Sequence, residues 1–215
     1  MRKWIPALLI IAATAASAIV YPRLPAQMPT HWTMSGEVNG WSSRLFGAWL
    51  FPVMMAAFWL LLRAVPHIDP RRENYEKFRG VYESLIVVIL LFLLGMHLLI
   101  LAKATGSRTD VARVALGSTG LLLIAIGFLL PKAHPNWFVG IRTPWTLTSD
   151  VSWERTHRIG GPLFMLAGAL TAVTGLVAPT MTVWVLVASL VGVTIFLFVY
   201  SYRVWKEDTQ RHSSV

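Results

Sequence analysis

The sequence predicts an all-α membrane protein, a bundle of six transmembrane helices with both termini in the cytoplasm. Three observations point there. Hydrophobic residues fill 55% of the 215 positions and charged residues 13%, with a mean hydropathy of +0.59, more apolar than a water-soluble domain of this size requires. The apolar residues gather into blocks of roughly 17 to 22 with few or no charges, enough to cross a hydrocarbon core of ~30 Å at about 1.5 Å per residue. No alternating period-2 pattern appears in the blocks, and a bilayer admits only helices or closed barrels, so all six are read as helices.

The blocks run from Trp4 to Val20, Phe46 to Val65, Tyr82 to Ala102, Val111 to Leu130, Pro162 to Ala178 and Val183 to Tyr202. Trp4, Trp49, Trp59, Trp184 and Trp205 fall near block ends, where an amphipathic indole favours the headgroup level. Gly117, Gly120 and Gly127 in the fourth block, with Gly168, Ala172 and Gly175 in the fifth, offer small surfaces where two helices can pack closely. Residues 1–81 read as a two-helix unit with an outer loop at 21–45, and residues 82–215 as a four-helix unit with a cytoplasmic loop at 131–161. Together they make one membrane-embedded domain.

Orientation comes from charge. Of the 19 Lys and Arg, all but Arg23, Arg44, Lys103, Arg108 and Arg113 fall on the same set of alternate connections, from Arg2 and Lys3 to Arg211. The positive-inside rule puts that side, and both termini, in the cytoplasm of a bacterial inner membrane. The net charge of +9 is therefore a matter of topology, and no direct nucleic-acid partner is expected. The chain has no cysteine, which excludes disulfides, thiolate metal sites and cysteine nucleophiles.

Two connections are richer than a helical hairpin needs. In the outer loop from Tyr21 to Leu45, Pro22, Pro25 and Pro29 keep the backbone extended, and Ser35-Gly36 and Asn39-Gly40 supply turns, so the loop should fold back as a compact cap. Its recognition candidates are His31, Trp32 and Trp41, suited to an apolar peptide. Anchoring of those aromatics to membrane lipids is at least as well supported by the residues alone.

The second connection, Pro131 to Gly161, sets Asn136, Trp137, Gly140, Arg142, Thr143, Pro144 and Trp145 close together, mixed chemistry for a mere tether. Ser149 and Asp150 then open a short helix to about Ile159, on which Trp153, Thr156 and His157 share a face and Glu154 and Arg158 can pair. Gly160-Gly161-Pro162 should end it and start the fifth span. The bland expectation is an interfacial helix docked under the bundle.

Catalysis is not expected. Glu154 and His157 can be drawn as acid and base, yet no nucleophile motif, carboxylate pair or His-Glu-x-x-His pattern accompanies them. His31, His67, His97, His134, His157 and His212 are scattered without metal-ligand spacing, so no metal and no cofactor are expected unless the fold joins His31 to His97. His97 is the ionisable residue well inside a span, a reason to consider transport, although a neutral His bonded to a neighbouring helix is the simpler expectation. Arg63 and Glu83 should snorkel to the interface. No gating row or pair of matching broken helices marks a transport path.

The stretch Leu24 to Trp32, continued by Gly36, Gly40 and Trp41, resembles the N-terminal domain of SdpI-family membrane proteins, a domain without assigned chemistry. Asn136 to Leu147, continued by Trp153, Thr156, His157, Gly160 and Gly161, is similar to the second signature of the same family. The resemblance implies a multi-pass inner-membrane protein that confers immunity to a secreted peptide toxin. It also implies a signalling role, in which a cytoplasmic transcriptional repressor is drawn to the membrane when toxin is bound. His31, Trp32 and Trp41 would then meet the toxin, and Arg142, Trp145 and Trp153 the repressor. Ala16-Ser17-Ala18 after a basic start also fits a cleavable signal peptide, but the resemblance favours a retained first helix. Neither the toxin nor the oligomeric state is specified, and a transporter or a membrane-interface enzyme are the rival functions.

Overall fold

The computed structural model describes residues 4–33 and 37–213, the last three without their side chains. Arg2, Lys3, the Ser35-Gly36 turn and the side chains of Arg211 and His212 lie outside the described residues. In chain order the elements are α1 (Ile5–Val20), β1 (Gln27–Trp32), β2 (Val38–Ser43), α2 (Arg44–Ile68), α3 (Asn74–Lys77), α4 (Arg79–Ala104), α5 (Val111–Leu129), α6 (Pro144–Thr148), α7 (Asp150–Val177) and α8 (Pro179–Ser213). Six of them, α1, α2, α4, α5, α7 and α8, are long and apolar enough to cross a membrane. Large apolar side chains face outward on each, among them Ile19, Leu60, Leu91, Leu121, Leu166 and Ile195. A water-soluble fold would bury such a surface, whereas lipid leaves it in place.

Three features depart from the sequence expectation. The outer loop folds back as expected, but as a two-stranded antiparallel hairpin, strands that the all-α reading did not include. Asn39-Gly40 is not its turn: both lie inside β2, at the irregular register where His31 pairs with Gly40 and Trp32 with Val38. The reason is steric, since a Cβ on Gly40 would sit 2.7 Å from the His31 Cβ. Third, α7 runs unbroken through Gly160-Gly161-Pro162. The two glycines serve close approach, because a Cβ on Gly161 would lie 2.5 Å from Pro131 and 2.7 Å from the Gly127 carbonyl. Pro162 costs one backbone hydrogen bond, a loss that helices held by neighbours tolerate.

Helices α1, α2 and α4 share a core built around Ala13, Met55, Tyr82, Ile86 and Leu90. At one end of this group, Leu24 and Met28 of the hairpin segment insert against Ala48 of α2 and Leu101 of α4. Gly47 makes room for them, as a Cβ there would meet the Met28 sulfur at 2.8 Å. The opposite end of the bundle carries the 131–149 segment, and the two are called below the hairpin end and the motif end.

Helices α5 and α7 meet backbone to backbone. A Cβ on Gly120 would lie 2.5 Å from the Gly168 carbonyl, and a Cβ on Gly168 the same distance from the Gly120 carbonyl. Gly127 faces Gly161, and Gly175 faces Gly117, along the same seam. Gly120→Leu should therefore force the helices apart and cost about 1–3 kcal/mol in unfolding measured in micelles. Gly192→Ala, with nothing within 4 Å of the added carbon, should be neutral or slightly stabilising.

Candidate functional site

The sequence-predicted residues collect in two places, one at each end of the bundle. At the motif end, the chain after α5 folds over the connection between α2 and α4. Asn136 is its hub. The buried carboxamide oxygen accepts from the Phe138 N–H at 2.9 Å and the Val139 N–H at 2.6 Å, while Nδ2 donates to the carbonyls of His134 and Val139, each at 2.9 Å. Only a group that both accepts and donates can close this loop on itself.

Asp69, buried in the α2–α4 connection, fixes the loop from below. Its Oδ2 accepts from the Trp137 N–H at 2.9 Å and the Tyr75 hydroxyl at 2.8 Å, and its Oδ1 from the Arg71 N–H at 2.7 Å. Burial first, then the hydrogen bond and charge of Asp69, push the Tyr75 phenol up, so it stays a donor. Asn74 donates to the Pro135 carbonyl at 2.7 Å, and Arg71 bridges to the Leu147 carbonyl at 3.1 Å and to Asp150 at 2.6 Å. Asp69, Arg71, Asn74 and Tyr75 are the site residues that sequence reading missed. The signal was Asp69-Pro70, a turn-forming acidic residue shortly after the second apolar block.

His157 closes the other side. Gly140 has φ +123°, and a Cβ there would lie 2.4 Å from the His157 Nε2, so glycine is required twice over. The Ile141 N–H donates to Nε2 at 2.9 Å, and Nδ1–H donates to the Trp153 carbonyl at 2.8 Å, with the imidazole stacked on the Trp153 ring at 4.0 Å. The Trp153 indole N–H in turn reaches the Ala133 carbonyl at 2.8 Å. Both imidazole nitrogens are thus engaged. Glu154 is exposed on another face of α7, so the two form no acid–base pair, and the expected Glu154–Arg158 pair is replaced by Arg155 with Glu207 at 3.8 Å.

The rest of the motif ties α6 and α7 to α8. Thr143 and Thr146 form a reciprocal cap, with Pro144 in the first turn of α6. The Thr143 hydroxyl reaches Ser201 at 3.0 Å, Ser152 donates to the Ser201 carbonyl at 2.9 Å, and Ser149 donates to Asp208 at 2.7 Å. Trp145 packs edge-on against Phe198, ring centroids 4.7 Å apart, and Thr156 is buried with its hydroxyl unpartnered among the described residues. Arg142 donates to the Trp137 carbonyl at 2.9 Å and lies exposed with Trp137 and Phe138 at the tip.

At the hairpin end, Nδ1 of His31 and Oδ1 of Asn39 are 2.5 Å apart, and His31 and Trp32 line a cleft of about 230 Å³ against Val111, Ala115 and Leu116 of α5 and Val183 of α8. The Trp32 indole N–H is buried with no acceptor among the described residues. Trp41 stands apart from this cleft, 58% exposed. His97 is distant from His31 in role: it is fully buried, stacked on Phe51, and its Nε2 lies 2.8 Å from the Ser17 hydroxyl, which donates to the Ala48 carbonyl at 2.6 Å. That order of donors makes His97 Nε2 the donor to Ser17. Its Nδ1 is buried with no hydrogen-bond partner among the described residues. No group of three or more metal-ligating side chains occurs among the described residues.

Comparison with known proteins places both ends in one lineage. Residues 8–56 match a domain of unknown function (DUF1648), and residues 132–201 match the SdpI/YfhL protein family. The chain is 23% identical to "Immunity protein SdpI" of Bacillus subtilis over 208 residues, 96% of this chain and 98% of that protein. It is 31% identical to "Uncharacterized membrane protein YbgB" of the same organism over 88 residues, 40% of this chain and 86% of that protein. No solved structure matches.

Asn136→Ala should leave the Phe138 and Val139 amides without their acceptor, at about 1–3 kcal/mol per orphaned group. Amide hydrogen exchange at those two positions should accelerate while exchange in mid-α5 is unchanged. Unaltered protection at 138 and 139 would remove Asn136 from its place as hub.

Proposed function

The chain belongs to the SdpI/YfhL family of membrane proteins, and on that premise we propose that it is an immunity-type protein protecting a bacterium against a secreted antimicrobial peptide. The observation that carries the reading is the end-to-end likeness to an immunity protein, which takes in the hairpin, the motif and all six long helices. In this reading the motif end, where most Lys and Arg gather, faces the cytoplasm and the hairpin faces outward.

The hairpin cleft is the peptide's seat. Its lining is apolar on the α5 side, and the Trp32 N–H, without an acceptor among the described residues, is a donor that a peptide carbonyl would satisfy. His31 adds a polar contact within the cleft, while Trp41, exposed outside it, is left to a part of the peptide that extends beyond the seat. At the other end, exposed Trp137, Phe138 and Arg142 offer a transcriptional repressor a surface on which to dock. Neither rival function gains support: His97 is engaged by Ser17 and Phe51, and Glu154 and His157 lie on different faces.

Expression in a peptide-sensitive host should raise survival. Trp32→Ala should weaken protection about tenfold, ~1.4 kcal/mol of binding, at unchanged protein level in the membrane. If the wild-type chain alters neither survival nor peptide binding, immunity is wrong. If both Trp32→Ala and His31→Ala protect fully, the seat lies elsewhere.

A further inference from the structure

A cleft of about 340 Å³ opens at the motif end between α1, α2 and α4, sharing only Tyr75 with the Asp69 clamp. That volume is in the range of small-molecule sites, roughly 300–1,000 Å³. On its α2 wall, Arg63 and His67 are four residues apart and share a helix face. Arg63 forms no ion pair among the described residues; its guanidinium instead lies over the Trp59 ring, 5.8 Å from the centroid. His67 too is unpaired among the described residues.

The facing wall has the opposite sign. Arg79 reaches Glu83 at 3.2 Å and Glu76 at 3.6 Å, so two carboxylates stand against one guanidinium there. Among the described residues, one excess negative charge thus lines the cleft with the unpaired positive charge of Arg63. Between the walls the lining is apolar, from Pro6 at the start of α1 to Ile86, two turns into α4. Trp59 and Tyr82 mark this depth as the level where helices leave the hydrocarbon.

We propose that this cleft binds an aminophospholipid, its phosphate on Arg63 and His67 and its primary ammonium on Glu76 and Glu83, with an acyl chain along Pro6 and Ile86. The charge separation fits a zwitterion, whereas an anionic headgroup without an ammonium would set like charge against the glutamates. A primary ammonium can donate to carboxylate oxygens. A quaternary one cannot, and the Trp59 face that would attract it is already covered by Arg63.

The test places the full chain in nanodiscs of equal phosphatidylethanolamine, phosphatidylglycerol and phosphatidylcholine and counts retained lipids by native mass spectrometry. Phosphatidylethanolamine should be retained about fivefold over either competitor, ~1 kcal/mol. Arg63→Gln should abolish that preference. Glu83→Gln, which neutralises the acidic wall, should shift it toward phosphatidylglycerol. Arg155→Gln, the same charge change elsewhere at this end, should leave it intact. Equal retention of the three lipids by the wild type overturns the proposal, as does loss of preference in Arg155→Gln. Displacement of the bound lipid by an equal concentration of glycerophosphoethanolamine would overturn it in favour of a soluble ligand. Should Arg63→Gln fail to fold, the direction of the Glu83→Gln shift decides by itself.

Discussion

Apolar side chains gain nothing by leaving lipid for a protein interior, so helices in a bilayer must be held by contacts other than the hydrophobic effect. In this protein α5 and α7 meet that constraint by bringing their backbones together at glycines. Gly120 and Gly168 oppose each other so closely that neither tolerates a Cβ, and Gly127 with Gly161 and Gly117 with Gly175 extend the seam in both directions. The seam sets the height of α7 against α5. Because of that height, Trp153 arrives within 2.8 Å of the Ala133 carbonyl and His157 within 2.9 Å of the Ile141 N–H, just past the end of α5. The motif loop is thus shaped by a contact made well inside the bundle.

The polar groups buried at the motif end act on what the seam positions. Asp69 and Asn136 each satisfy several donors that a bending chain would otherwise leave orphaned, and together they join the α2–α4 connection to the loop after α5. Without them the α1, α2 and α4 group would meet α5 mostly through apolar surface, which lipid can replace. At the other end the same logic is repeated once, with Ser17, His97 and the Ala48 carbonyl linking three helices.

This division of labour bears on function. The motif residues that looked like recognition chemistry are mostly interior: Asn136, Thr143, Trp153, Thr156 and His157 are buried, while Trp137, Phe138, Arg142 and Pro144 present themselves outward. A family signature here is chiefly a record of how the loop is folded. The hairpin end is built differently, with a buried indole N–H that has no acceptor among the described residues beside an open cleft, an arrangement a bound partner would complete.

The sequence alone determined the six long helices and their order, because the length and purity of an apolar block are local properties that the bilayer's thickness selects. It also determined that Trp153, Thr156 and His157 share one face, since helical periodicity needs no partner, while their burial was the structure's to decide. What only the tertiary structure decided is where local signals are overruled. Gly160-Gly161-Pro162 reads as a break, but contacts with Pro131 and Gly127 use the glycines for approach and keep α7 continuous. Asn39-Gly40 reads as a turn, yet His31, on the opposing strand, requires the glycine inside a strand. Asp69 and Tyr75 became site residues through bonds to Trp137 and Asn136, more than sixty positions away, and such pairings have no period to betray them.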